Sequence, residues 1–163
     1  MRTIIGVMGG SLATPETTSH AEELGRLIAG REWVVLSGGR DAGVMAAVSR
    51  GASSAGGLVI GILPGDSADG ASPHLDIAIP TGLGDARNAV NVLASDVVIA
   101  LRGGAGTISE VALALKAGKR VVMLDFHLGS AFDAYYDGGM LFDVSSPHEC
   151  VELVQRLLAP RLA

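Results

Sequence analysis

Apolar residues along this chain fall in short continuous runs, each rich in Val, Ile and Leu. They are 3–9 (TIIGVMG), 33–39 (WVVLSGG), 58–65 (LVIGILPG), 96–101 (DVVIAL) and 120–125 (RVVMLD); 75–82 (LDIAIPTG), less clean in pattern, and 141–146 (LFDVSS) read as further strands. Continuous runs, rather than strict alternation, mark strands buried on both faces. Between them the spacing turns helical. Segment 17–30 carries Leu24, Leu27 and Ile28 on one side, with Thr17 or Thr18 as the expected N-cap and Gly30 as the stop. Segments 42–56, 85–95, 108–118 and 147–159 read as further helices; Val90 and Leu93 stand at core spacing in the third, and Pro147 opens the last. Segments 66–74 and 126–140 read as long loops. Alternating strands and helices predict an α/β fold: a single Rossmann-like three-layer domain over 1–163, its sheet mostly parallel, with helices on both faces.

Glycines then mark one edge of that sheet. Gly9-Gly10-Ser11 follows the first strand, Gly38-Gly39 the second, and Gly103-Gly104-Ala105-Gly106 the fifth. A tight strand-to-helix turn is reason enough for one glycine pair. Three at the carboxyl ends of parallel strands point to a ligand, because open parallel sheets bind ligands there. The loop at 103–106 also opens a helix, whose free N–H groups and positive dipole end favour a phosphate. Thr107 is placed to add a hydroxyl. The expected ligand set is Gly10, Ser11, Gly39, Arg87, Arg102, Gly103, Gly104, Gly106 and Thr107, with Glu110 facing a sugar or ring. Plainer roles compete. Glu110 stands three residues after Thr107, the spacing of a capping box. Asp85 reads as the N-cap of its helix, Ser11 as a turn cap, and Met45 as core.

Composition narrows the partners. The chain has 163 residues, 48% of them apolar and 18% charged, with mean hydropathy +0.42. That is apolar enough to suggest that helical faces meet other subunits, with 85–95 and 108–118 as candidates. The net charge is −5 and no basic run occurs, which argues against a nucleic-acid duplex as partner. Cys150 is the only cysteine, so no disulfide forms within one chain, as suits a reducing compartment. No stretch approaches a membrane span and the N-terminus lacks the pattern of a signal peptide, so the expected location is the cytoplasm. The segment GAGTIS lacks the third glycine of a dinucleotide fingerprint, and neither a P-loop nor a nucleophile elbow occurs. His20, His74, His127 and His148 are scattered without ligand spacing, and no metal site is expected.

The residues 102–110 (RGGAGTISE) resemble the PGG-x-GT-x-x-E signature of the LOG (lonely guy) family, and 37–52 (SGGRDAGVMAAVSRGA) resembles its GGG-x-x-GLMG segment. The resemblance spans most of the chain and implies the shared nucleotide-binding Rossmann-type fold. LOG enzymes cleave the N-glycosidic bond of nucleoside 5′-monophosphates. On that reading Arg87 and Glu110 are catalytic: a carboxylate stabilises an oxocarbenium-like transition state, and a guanidinium forks onto phosphate. Two departures stand out, Arg102 for the signature Pro and Asn88 for a Lys after Arg87. The segments 86–101 and 103–119 look closer to the molybdenum cofactor carrier proteins and their bacterial relatives, which share the fold and bind a phosphate-bearing pterin. That resemblance implies a binder of such a ligand, with the molybdenum cofactor as cargo, no cofactor needed for folding, and a homodimer or homotetramer. A phosphoribohydrolase and a nucleotide-ligand sensing module are the alternatives.

Overall fold

A computed structural model describes residues 1–159. Seven strands and six helices alternate: β1 (Ile4–Met8), α1 (Pro15–Ala29), β2 (Val34–Ser37), α2 (Gly43–Ser54), β3 (Val59–Leu63), β4 (Ile77–Pro80), α3 (Arg87–Leu93), β5 (Val97–Leu101), α4 (Ala105–Lys116), β6 (Val121–Leu124), α5 (Asp133–Asp137), β7 (Leu141–Val144) and α6 (Pro147–Leu158). All neighbouring strands are parallel, in the order β4-β3-β2-β1-β5-β6-β7. From β1 the chain winds outward through β4, then crosses back to place β5 on the other side of β1. The crevice at such a reversal is where sheets of this type hold ligands.

The central strands are continuous apolar runs because both faces are covered. Ile5, Val7, Val35, Val59 and Ile99 pack under α1, α2 and α6; Met8, Leu36, Val98, Ala100 and Met123 pack under α3 and α4. Helix α1 lies against α2 so closely that Gly25 and Gly51 leave no room for side chains: a methyl at either would collide with backbone of the facing helix. The edge strand β4 is exposed along its length, Ile77 and Ile79 included.

Several boundaries differ from the sequence expectation. Helix α1 starts at Pro15, capped by Thr14, whose Oγ1 accepts from the Thr17 amide at 3.2 Å. Thr17 is therefore inside the first turn, and the N-cap is neither Thr17 nor Thr18. Helix α4 starts at Ala105 with Gly104 as N-cap, which puts Thr107 at its third position and Glu110 at its sixth. A capping box needs those two residues at the N-cap and third position, so that role fails. Asp85 sits inside a single 3-10 turn, Gly84–Ala86, that leads into α3, and its side chain caps nothing. In α3 the inward positions are Asn91 and Val92, while Leu93 is 63% exposed. The 126–140 segment holds a 3-10 turn, Ser130–Phe132, and the short α5.

Candidate functional site

A cleft of about 300 Å³ opens at the carboxyl ends of β1, β2 and β5, at the low end of the size range of small-molecule sites. Its walls come from three loops that bond one another. The Gly10 amide donates to the Arg102 carbonyl at 3.2 Å, and the Val44 amide at the start of α2 donates to the Gly10 carbonyl at 3.0 Å. The first, second and fifth strand ends are thereby locked into one surface.

The glycines divide by what they do for the fold. A methyl on Gly103 would collide with Thr107 Oγ1, and one on Gly38 with the guanidinium of Arg87. Both are small because protein atoms occupy that space. Gly104 and Gly106 are different: a methyl on either meets nothing within 4 Å. Both line the cleft at the first turn of α4, where the amides of the first turn have no acceptor within the helix. Their backbone is bare toward open space, the arrangement suited to an anion.

Charged groups face that turn. Arg87, half-buried at the start of α3, lies against Gly38 and donates from Nη1 to the Ile62 carbonyl at 3.0 Å, while its Nε has no partner. Burial pulls its pKa down, and the charge of Glu110 opposes that. The group stays a cation, since a guanidinium titrates too high to lose its proton. Glu110 is 7% exposed and lines the same cleft. Its Oε1 accepts from Asn91 Nδ2 at 2.9 Å. Burial pushes the Glu110 carboxyl above its ordinary range, against the opposing pulls of the Asn91 bond and the Arg87 charge. Arg87 and Glu110 share the cleft but form no ion pair with each other among the described residues.

Of the expected ligand set, the structure brings Gly10, Ser11, Arg87, Gly104, Gly106, Thr107 and Glu110 onto the cleft. Arg102 and Gly103 instead line an adjoining hollow of about 360 Å³, which shares Gly10, Ser11 and Gly104 with the cleft. Gly39 lies off the cleft, backed against Gly61 of β3. Met45 is buried and lines the cleft as well. Asp85 and Asn88 also face it, and Asn88 Nδ2 donates to Ser109 Oγ at 3.2 Å. Sequence reasoning missed two residues. Arg40 adds a second cation to the rim, signalled by its place directly after Gly38-Gly39. Asn91, fully buried, holds Glu110; its signal was a polar residue one helical turn after Arg87, on the same face.

Fold and cleft together define a Rossmann-like α/β domain with a glycine-walled crevice at its strand-order reversal. Comparison with known proteins gives the family. The model of the SLOG cluster4 family matches residues 2–151, and the chain belongs to that family. The molybdenum cofactor binding protein of Rippkaea orientalis superposes with a TM-score of 0.92 at 50% identity, over 98% of this chain and 99% of that one. The molybdenum cofactor carrier protein of Chlamydomonas reinhardtii gives 0.90 at 42% identity, over 98% and 100%. A cytokinin riboside 5′-monophosphate phosphoribohydrolase of Mycobacterium tuberculosis is 34% identical over 118 residues, covering 68% of this chain and 63% of the enzyme. The likeness to cofactor carriers read from the motifs thus extends over nearly the whole chain, and the likeness to the phosphoribohydrolase over about two thirds of it.

Proposed function

We propose that this protein binds a phosphate-bearing pterin or nucleotide in the cleft and serves as a carrier of the molybdenum cofactor kind. The observation that carries the reading is the pair Gly104 and Gly106. Nothing in the fold demands that they lack side chains, yet both sit bare at the start of α4. A phosphate there would take the free amides, with Thr107 beside them and Arg87 and Arg40 supplying charge. Glu110 would face the sugar or ring. The similarity to two molybdenum cofactor proteins at 42% and 50% identity supports the same ligand class. Loading would be reversible, and folding would not depend on the cargo. The protein would work in the cytoplasm as a homodimer or homotetramer, one domain per chain.

A second reading is favoured by the meeting of Arg87 and Glu110 in one cleft. These would be the catalytic pair of a nucleoside 5′-monophosphate phosphoribohydrolase. Incubation with AMP and cytokinin monophosphates separates the two. The carrier reading expects no free base. Multiple turnovers by the wild type, abolished in Glu110→Gln, would establish the hydrolase instead.

A further inference from the structure

Asn91 and Glu110 form a buried polar contact that an anion grip alone does not require. Asn91 is 0% exposed, and its Nδ2 donates to Glu110 Oε1 while its own Oδ1 has no partner. An orphaned buried acceptor costs stability. A carboxylate beside an anion site is a second cost, because neighbouring like charges repel. The cleft thus holds a negative side chain in the same space that a phosphate-bearing ligand would enter, and a buried amide keeps it there.

We propose that Glu110 is a proton-coupled ligand contact and Asn91 its positioning residue: when the cleft takes a phosphate-bearing ligand, Glu110 takes one proton from solvent. The geometry selects the oxygen. Oε1 is committed as acceptor to Asn91 Nδ2, so the proton goes to Oε2, which accepts no hydrogen bond among the described residues. Glu110 then turns from a repelling carboxylate into an O–H donor to the ligand. No bond other than O–H forms, and the proton comes from buffer. Other charges facing the cleft are Arg87 at the start of α3, Arg40 after β2 and Asp85 before α3. The strands under α4, β5 and β6, offer only apolar side chains. Arg102 lines the adjoining hollow. The Asn91 bond and the charge of Arg87 favour the carboxylate form, and an anion that screens Arg87 weakens that support. Burial already biases Glu110 toward its neutral form.

This inference rests on the reading of the cleft as an anion site, and its test keeps the two apart. Calorimetric titration with AMP, in buffers of different protonation heat between pH 6 and 9, counts protons taken up on binding. The ligand's own phosphate contributes equally to wild type and to Glu110→Gln. The expected result is an excess uptake in wild type approaching about one proton per AMP, absent in Glu110→Gln. In Asn91→Leu the carboxylate loses its donor, so the pH of half-maximal uptake should move upward; a merely structural Asn91 would lower stability and leave that profile in place. Equal uptake in wild type and Glu110→Gln, or none in either, overturns the proposal while the anion cleft stands. Failure of both AMP and inorganic phosphate to bind removes the anion cleft itself, and the proposal falls with it.

Discussion

Gly103 and Gly104 are neighbours with opposite reasons for lacking a side chain. A branched side chain at Gly103 would drive into Thr107 and the loop of Gly10, so Gly103→Val should lower the thermal midpoint by many degrees. At Gly104 the same change meets only open space. Gly104→Val should fold normally and weaken binding of AMP or a pterin phosphate by tenfold or more, a loss of about 1.4 kcal/mol. Melting curves beside binding titrations check both. Glu110 yields a prediction of opposite sign. Its folded pKa is raised by burial, so the folded state binds a proton more readily than the unfolded one. The stability this brings is present below the ordinary carboxyl range and is lost as pH rises through the folded value. Above the ordinary carboxyl range, burial of Glu110 is therefore a burden. Glu110→Gln should raise the melting point of the free protein by about 2–4 °C, with the gain vanishing in acid. At this scale the sequence was legible where residues repeat a known spacing: Gly104, Gly106, Thr107, Arg87 and Glu110 all reach the cleft. Asn91 went unread, because a polar residue one turn after Arg87 announces no function until its partner, nineteen positions on, is seen beside it.

Helices show the same division. The central strands were readable because double-sided burial leaves an unbroken apolar run; the edge strands β4 and β7 lack that burial and were read from weaker patterns. Helix starts were misjudged where two signals competed. In α1, Thr17 and Thr18 looked like caps, yet Thr14 followed by Pro15 is the true start, and α6 repeats the pattern with Ser146 and Pro147. Proline supplies no amide and needs none at that position. Ser146 Oγ accepts from the Glu149 amide at 3.3 Å. Ser146→Ala should cost about 1 kcal/mol, read as a drop of about 2–4 °C. The misplaced start of α4 had a larger consequence, because it decided between a capping and a cleft-facing Glu110. Tertiary contact settled it, since Gly104 reaches the N-cap position only through the loop that Gly10 and Arg102 tie together. Helices α3 and α4 pack side by side and leave Leu93, Ile108 and Leu113 exposed. An assembly through this face would bury them. Ile108→Glu together with Leu113→Lys should reduce the mass seen by light scattering at micromolar concentration to that of one chain. A wild type already of single-chain mass would remove the assembly from the account.

Across the whole molecule, topology does the work that no local motif could. The glycine turns after β1, β2 and β5 lie far apart in sequence, and only the crossing from β4 back to β5 sets them side by side. With a net charge of −5, the proposed anion site would rest on local groups, the first amides of α4 and the two arginines of the cleft, and not on overall charge. No helix among the described residues is long and apolar enough to cross a membrane. As the proposed carrier, the protein would hold a phosphate-bearing pterin in this cleft and release it intact. Equilibrium dialysis of wild type and Gly104→Val against the molybdenum cofactor, with the pterin on each side assayed afterwards, tests it most directly. The account predicts saturable retention by the wild type of about one cofactor per chain, recovered unaltered, and retention reduced tenfold or more in Gly104→Val. Equal retention by the two proteins, or none by the wild type, would contradict it.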